Sequence, residues 1–163
     1  MVYKLAKEYP EMFQAYVAIC ANLPIKENND CCDEQKAVNM MIVNGTADKI
    51  NPYNGGEVLV DDDANRGEVV STQHTLQQWK DLLGQESIVE TKEIMKKYEE
   101  KDDTQVVIYG YRSIELLKKV VLVKIENGGH VIPNPYFSNW PKELGSVNRD
   151  INLPKYILDF FAL

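Results

Sequence analysis

The spacing of apolar and polar residues divides the chain into segments of different character. Residues 2–8 are typical of a helix that ends before the proline at position 10. The run "FQAYVAICANLP" is apolar and rich enough in β-branched residues to indicate a buried strand leading into a loop, although a helix is an alternative. The run "AVNMMIVNG" is apolar at successive positions, which predicts a short strand buried on both faces of a parallel sheet.

A clear helical pattern follows in "STQHTLQQWKDLLG". Ser71 or Thr72 can cap its start, and Gly84 can end it. His74 falls on the polar side, so we expect it to be exposed rather than a ligand. The residues predicted to face the core are Leu76, Trp79, Leu82 and Leu83.

The second half of the chain contains two apolar runs and a terminal helix pattern. The runs "TQVVIYGYRS" and "KKVVLVKIENGG" predict two strands that are antiparallel neighbours across the "IELL" connection. In "NLPKYILDFFAL", Asn152 precedes a helix and Pro154 lies in its first turn. Ile157, Phe160 and Phe161 are predicted to form the buried side of this helix.

Strands that alternate with helices predict an α/β fold with a mainly parallel sheet flanked by helices. At 163 residues the chain is long enough for one domain with its own core, so we assign residues 1–163 to a single domain. In such sheets the functional loops follow the carboxyl ends of the strands. We therefore expect the functional residues to follow the predicted strands directly.

Charge and composition exclude two classes of partner. The net charge of −7 argues against nucleic acid, because phosphate binding needs a basic face. The chain has no tract of 18 apolar residues, so we expect no membrane span. Its first residues lack the apolar core of a signal peptide.

The cysteines do not indicate a disulfide framework or a metal site. Cys20, Cys31 and Cys32 are odd in number, and their spacing is not that of metal ligands. We therefore expect Cys20, in an apolar run, to pack as a small hydrophobic residue.

An acidic run, "DDDANRG", resembles part of a calcium loop. Asp61, Asp63 and Asn65 fall at loop positions 1, 3 and 5. However, Arg66 stands where the turn needs glycine, and Thr72 stands where the loop needs glutamate. We interpret the segment as a solvated, irregular loop.

Two strand ends carry residues suited to acid–base chemistry. Asp48 follows "MMIVNGT", and His130 follows "VVLVKIENGG". A buried carboxylate that accepts a hydrogen bond from an imidazole fixes its tautomer and leaves the other ring nitrogen free to act as a base. Gly128 and Gly129 would allow a sharp turn before the histidine. The alternatives are that Asp48 only shapes a turn or caps a helix, and that His130 is a surface loop residue.

The same loops resemble a known family. "MIVNGTADKINPYNGG" resembles the acid loop of α/β-hydrolase esterases of the polyhydroxybutyrate depolymerase and feruloyl esterase family. "IENGGHVIPNP" resembles the histidine loop of that family, although Val131 and Ile132 stand where a tryptophan is common. "YKLAKEYPEMFQAYVAICANLP" is similar to the segment after the nucleophile, and "SVNRDINLPKYILDFF" is similar to the closing helix. The resemblance implies that Asp48 is the triad acid and His130 the triad base of a serine esterase without metal or organic cofactor.

The family's nucleophile is missing from this sequence. No G-x-S-x-G pattern occurs, and none of the serines has the required context. Those serines are Ser71, Ser87, Ser113, Ser138 and Ser146. By the resemblance, the chain begins just after the nucleophile and corresponds to the C-terminal half of the hydrolase. We therefore expect little hydrolysis from it alone, and its localisation stays open because a signal peptide would lie in the other half.

Two other functions stay open. The chain could be a non-catalytic binding or assembly module, since a half-sheet leaves the strand around residues 14–20 with an unpaired edge. A homodimer, or the N-terminal half of the hydrolase, would cover that edge, while the esterase itself would act on a small ester or a polyester. The third alternative is a cysteine-dependent hydrolase in which Cys20 acts with His130.

Overall fold

A computed structural model describes residues 1–30, 36–60, 66–84, 88–101, 103–137 and 139–162. Cys31 and Cys32, the calcium-like positions 61, 63 and 65, and the serines at 87 and 138 lie outside these ranges. The helices of the described chain are α1 (Val2–Glu8), α2 (Thr72–Asp81) and α3 (Leu153–Phe161). The strands of its main sheet are β1 (Tyr16–Ile19), β2 (Met40–Gly45), β5 (Ile88–Ile94), β6 (Gln105–Ser113) and β7 (Lys119–Glu126). The strands β3 (Gly56–Glu57) and β4 (Glu68–Val69) form a separate antiparallel pair.

The main sheet of the described residues has the strand order β1-β2-β7-β6-β5. β1 and β2 run parallel, as do β2 and β7. The pairings of β7 with β6 and of β6 with β5 are antiparallel. The α/β class and the antiparallel neighbours β6 and β7 are as predicted, but the sheet is mixed. The antiparallel part arises because a hairpin connection returns β6 directly into β7 without a crossover helix.

The core lies on both faces of the sheet. Alternate residues of a strand point to opposite faces, so the six buried residues of β2 contribute to both. One face packs against α1 and α2 through Tyr3, Ala6 and Trp79. The other face packs against α3 through Leu153 and Phe160. The predicted burial of the "MMIV" run is confirmed.

The helices begin at the predicted caps. The Ser71 side chain accepts a hydrogen bond from the backbone N–H of His74, and Asn152 accepts one from Lys155. The prediction that Phe161 is buried is wrong, since 37% of it is exposed at the last residue of α3. Leu153, in the first turn, is buried instead. No helix in the described ranges has the length and apolar character needed to cross a membrane.

Two elements were not predicted from the sequence. The strand β5, "IVETKEI", is exposed along nearly its whole length and is held by its pairing with β6. The segment 57–70, predicted to be irregular, includes β4 and part of the β3 strand that pairs with it. Both elements depend on backbone hydrogen bonds to a partner strand, and hydrophobic periodicity does not report such bonds.

Candidate active site

The candidate residues lie at the carboxyl ends of three neighbouring strands, at one edge of the sheet. β1, β2 and β7 are parallel, so their carboxyl ends lie side by side. Cys20 directly follows β1, Asp48 follows β2 by three residues, and His130 follows β7 by four. Residues 82 positions apart in the sequence are therefore brought into contact at this edge.

Asp48 and His130 form a hydrogen-bonded pair. The distance between Oδ2 of Asp48 and Nδ1 of His130 is 2.9 Å. The Asp48 side chain is 1% exposed and that of His130 is 30% exposed. An ionised carboxylate is only an acceptor, so the imidazole donates from Nδ1 and its second nitrogen is the one left to accept a proton. The acid and the base that follow the two predicted strands are thus in contact, while their catalytic roles stay predictions.

Backbone N–H groups of the loop after β2 hold the carboxylate of Asp48. Oδ1 of Asp48 accepts hydrogen bonds from the backbone N–H groups of Ile50 and Asn51, each at 2.8 Å. Asp48 therefore shapes a turn, as the alternative interpretation held, and also binds the histidine. Because Oδ1 is occupied by the loop, Oδ2 is oriented towards the imidazole.

The glycines before the histidine are needed for close packing. A Cβ on Gly129 would overlap the carbonyl oxygen of Leu144, and one on Gly45 would overlap that of Gly128. His130 itself donates its backbone N–H to Leu144 at 2.7 Å. The predicted reason was conformational freedom, but the residue with positive φ in this turn is Asn127, at 56°. The tight approach of three backbone segments fixes the position of the ring.

A buried network of polar side chains holds the loop that carries Asp48. The side-chain amide of Asn44 donates to Asn22 at 2.8 Å and to the Thr72 hydroxyl at 2.9 Å. Asn22 donates to the carbonyl of Pro52, within the loop that carries Asp48. This network was not predicted from the sequence. Its signal was Asn44, a polar residue in an otherwise apolar strand.

Cys20 lies beside the acid–base pair. Its Sγ, a carboxylate oxygen of Asp48 and a ring nitrogen of His130 are all within 4.8 Å of one another. The residue has φ = 51°, and its thiol donates to the carbonyl of Val131. Burial first, and then the charge of Asp48, raise the pKa of the thiol to about 12. Because the thiolate is the nucleophile, Cys20 is unsuited to attack an ester at neutral pH.

The serines of the described chain do not supply the missing hydroxyl. Ser71 caps α2, and the Ser113 side chain accepts a hydrogen bond from the backbone of Leu116. Ser146 approaches the site through its backbone, whose carbonyl accepts the N–H of Gly129. Within the described residues no hydroxyl hydrogen-bonds the His130 ring. His74, the other histidine, is exposed on α2 as predicted and contacts Gln78.

Comparison with known proteins does not name the family. No protein-family model, no curated protein and no solved structure matches this chain. The esterase family inferred from the two loops is therefore a prediction.

Proposed function

We propose that this chain carries the acid and the base of a serine esterase of the α/β-hydrolase type. In this proposal it corresponds to the C-terminal part of the hydrolase fold, and the full enzyme cleaves a carboxylic ester, either a small ester or a polyester. Asp48 orients and stabilises the imidazole, and His130 is the proton acceptor. The nucleophilic hydroxyl is supplied from outside these 163 residues, because the sequence contains no G-x-S-x-G pattern.

The observation that carries the proposal is the Asp48–His130 hydrogen bond at the carboxyl edge of the sheet. Burial of Asp48 and its two backbone hydrogen bonds keep the carboxylate in one orientation. The His130 side chain is partly exposed, so part of the ring is accessible to a reacting group. A histidine with only a packing role needs neither a buried carboxylate that holds one ring nitrogen nor a ring that is partly exposed.

The proton transfers follow from this geometry. Nε2 of His130 takes the proton of the attacking hydroxyl while that oxygen bonds to the ester carbonyl, and Asp48 stabilises the resulting imidazolium. The imidazolium then gives the proton to the departing alkoxide, which leaves an acyl-enzyme. In the second half, a water molecule gives a proton to Nε2 while its oxygen bonds to the acyl carbon. The imidazolium then returns the proton to the oxygen of the nucleophile, which releases the carboxylic acid and restores the hydroxyl.

The first experiment is to read the DNA in frame upstream of the codon for Met1. An open frame that encodes G-x-S-x-G close to that codon would support the proposal, whereas a stop codon there would contradict it.

Where the frame is open, the longer protein should hydrolyse p-nitrophenyl esters. Asp48→Asn should lower kcat by about 10⁴, as for the aspartate of a serine protease. His74→Ala, the matched control in α2, should leave kcat unchanged.

The short chain can be tested as it stands. We expect a low-field NMR resonance from the Nδ1 proton of His130, because a hydrogen bond to a buried carboxylate deshields that proton. Asp48→Asn should shift or remove the resonance, and His74→Ala should not. Ester hydrolysis by the short chain should be lower than that of a complete triad by about 10⁶, the loss caused by removing a triad nucleophile. Rapid hydrolysis that survives His130→Ala would contradict the assignment.

The second candidate function is a binding or assembly module, and the edge of β1 that no described strand covers favours it. Tyr16 donates its backbone N–H to Asn39, just before β2, and Cys20 donates its own to Val43, within β2. Because alternate residues of a strand face opposite neighbours, the N–H groups of Val17 and Ile19 point away from β2. A cavity of about 390 Å³ lies between the start of α1 and this edge. We propose that the edge pairs either with a second copy of this chain or with the N-terminal part of a hydrolase.

Light scattering tests the homodimer directly. We expect the mass of a dimer, and Val17→Pro should give a monomer because proline removes an N–H group that points outwards from the edge. An unchanged circular dichroism spectrum would show that the variant still folds. A wild-type chain that stays monomeric and soluble for days would contradict pairing between two copies of this edge.

A further inference from the structure

Cys20, Asp48 and His130 together form a cluster of potential metal ligands. The three side chains offer sulfur, oxygen and nitrogen, and these atoms lie within 4.8 Å of one another. They follow the ends of three adjacent parallel strands, of which β2 is buried along its whole length. Sulfur, imidazole nitrogen and carboxylate oxygen are the ligand atoms that Zn²⁺ prefers in proteins.

We propose that Cys20, Asp48 and His130 form a binding site for a thiophilic divalent cation of the Zn²⁺ class. The cation takes the place of the proton between Oδ2 of Asp48 and Nδ1 of His130, with the sulfur of Cys20 as the third ligand. A water molecule completes the tetrahedron as the fourth ligand.

The distances suit a tetrahedral ion after small movements. Zn²⁺ bonds of about 2.0–2.3 Å place neighbouring ligand atoms roughly 3.3–3.6 Å apart. The Asp48 and His130 atoms, now at 2.9 Å, must separate by a few tenths of an ångström. Cys20 Sγ must approach the pair from at most 4.8 Å, which a rotation of its side chain can provide.

The charges at the site balance when the ion is bound. The thiol of Cys20 loses its proton to solvent, and a sulfur–metal bond replaces the S–H bond. His130 stays neutral, because its proton moves from Nδ1 to Nε2, and Asp48 stays a carboxylate. One thiolate and one carboxylate thus neutralise a divalent ion, which avoids an uncompensated buried charge.

The surroundings support this arrangement. The backbone N–H groups of Ile50 and Asn51 hold Oδ1 of Asp48, as hydrogen-bond donors hold the carboxylate ligands of metal sites.

This inference does not depend on the esterase proposal. It goes against the expectation that no metal binds, which rested on the spacing of the cysteines and on the resemblance to the esterase family. If both proposals hold, the ion occupies the nitrogen and the carboxylate oxygen that hold the catalytic hydrogen bond. Zinc would then inhibit the enzyme.

The experiment uses the full chain with Cys31→Ser and Cys32→Ser, so that Cys20 is its only thiol. Equilibrium dialysis against Zn²⁺ should give one ion per chain, with release of one proton in a weakly buffered solution. X-ray absorption at the zinc edge should show one sulfur at about 2.3 Å and nitrogen or oxygen ligands at about 2.0–2.2 Å.

Variants assign the ligands. Cys20→Ser should weaken binding by more than the roughly 10–100-fold that loss of a ligand's hydrogen-bond partner causes, and it should remove the sulfur signal. His130→Ala should also weaken binding, while His74→Ala, at the chain's other histidine, should not.

Several results would overturn the proposal: no zinc bound at micromolar concentrations, a zinc spectrum without sulfur, or equal binding by Cys20→Ser. The spectrum of the chain with only Cys20 decides the matter even if a variant fails to fold. The NMR test of the Asp48–His130 pair in metal-free buffer is independent, so failure of one proposal is distinguishable from failure of the other.

Discussion

The parallel and antiparallel halves of the main sheet differ in burial and in chemistry. In the parallel half, all six residues of β2 are buried, and the loops after β1, β2 and β7 bring Cys20, Asp48 and His130 together. In the antiparallel half, β5 is exposed from its second residue to its last. Parallel strands end at the same edge, whereas antiparallel neighbours end at opposite edges. The parallel half therefore gathers side chains that are distant in sequence, and the antiparallel half extends the sheet.

The halves also differ in what stabilises them. β2 is stabilised by apolar burial on both faces and by two neighbouring strands. β5 has one described neighbour, β6, and its side chains contribute mainly surface contacts such as the ion pair of Glu90 with Lys80. Three pairs of measurements and one double-mutant cycle, ordered from the largest expected effect to the smallest, test this difference.

The largest difference should come from removing one aliphatic side chain in each half. Ile42→Ala in β2, where the side chain is fully buried, should lower the free energy of unfolding by about 2–5 kcal/mol. Val89→Ala in β5, where 47% of the residue is exposed, should change it by about 0.5 kcal/mol or less. Urea denaturation of both variants measures the difference, and equal losses would show that β5 is buried in solution.

A pair of glycine substitutions tests backbone packing. Gly129→Ala should destabilise the chain by about 1–3 kcal/mol and remove the low-field His130 resonance, because the new methyl group overlaps the Leu144 carbonyl. Gly110→Ala in β6 meets the movable end of the Thr91 side chain and should cost less than about 1 kcal/mol. A Gly129→Ala protein that keeps both its stability and the resonance would mean that this close approach does not hold His130.

Alkaline pH should weaken the parallel half through Cys20. The pKa of its thiol is raised from 9.0 to about 12, so above pH 9 the unfolded state loses a proton that the folded state retains. Stability is therefore complete below pH 9 and falls by up to about 1.4 kcal/mol for each unit towards pH 12. Urea unfolding at pH 8 and pH 10 should show a smaller loss for Cys20→Ser than for wild type, and identical losses would contradict the burial of this thiol.

In the antiparallel half the comparable substitution is Tyr111→Phe. Burial raises the pKa of Tyr111, but the nearby Lys80 cation opposes that shift. Tyr111→Phe should therefore relieve less of the alkaline loss than Cys20→Ser does. If Tyr111→Phe reduced the alkaline loss of stability more than Cys20→Ser does, the pKa of Tyr111 would be the more strongly shifted of the two.

The smallest effect should come from the ion pair between α2 and β5. Lys80 and Glu90 lie 2.5 Å apart, but the Glu90 side chain is largely exposed. A double-mutant cycle with Lys80→Ala and Glu90→Ala should give a coupling energy of about 0.2–1 kcal/mol that falls as salt is added. A larger, salt-independent coupling would mean that water is excluded from this edge.

Much of the fold followed from the sequence because burial leaves a periodic pattern. The buried strand β2, the capped helix α2 and the hairpin of β6 and β7 were predicted at close to their observed positions. β5 was missed because three of its seven residues are charged and neither of its faces is apolar. Phe161 was misplaced because it lies at the end of α3, beyond the packed face of that helix.

The candidate site was predictable in part. Asp48 and His130 were identified because each follows an apolar run, and strand ends in parallel sheets converge. The buried network of Asn44, Asn22 and Thr72 was not identified, since its members are 22 to 50 residues apart and each is ordinary in its local context. The esterase activity and the partner at the β1 edge remain proposals.

The sequence by itself determined where the chain buries its apolar runs and which acid and base follow them. Local spacing controls these features, since each depends on a few consecutive residues. Only the tertiary structure decided that Cys20 joins Asp48 and His130, and that glycine packing rather than glycine flexibility holds the histidine. Such contacts between distant segments depend on strand order and on distances of a few ångströms, which one-dimensional spacing does not record.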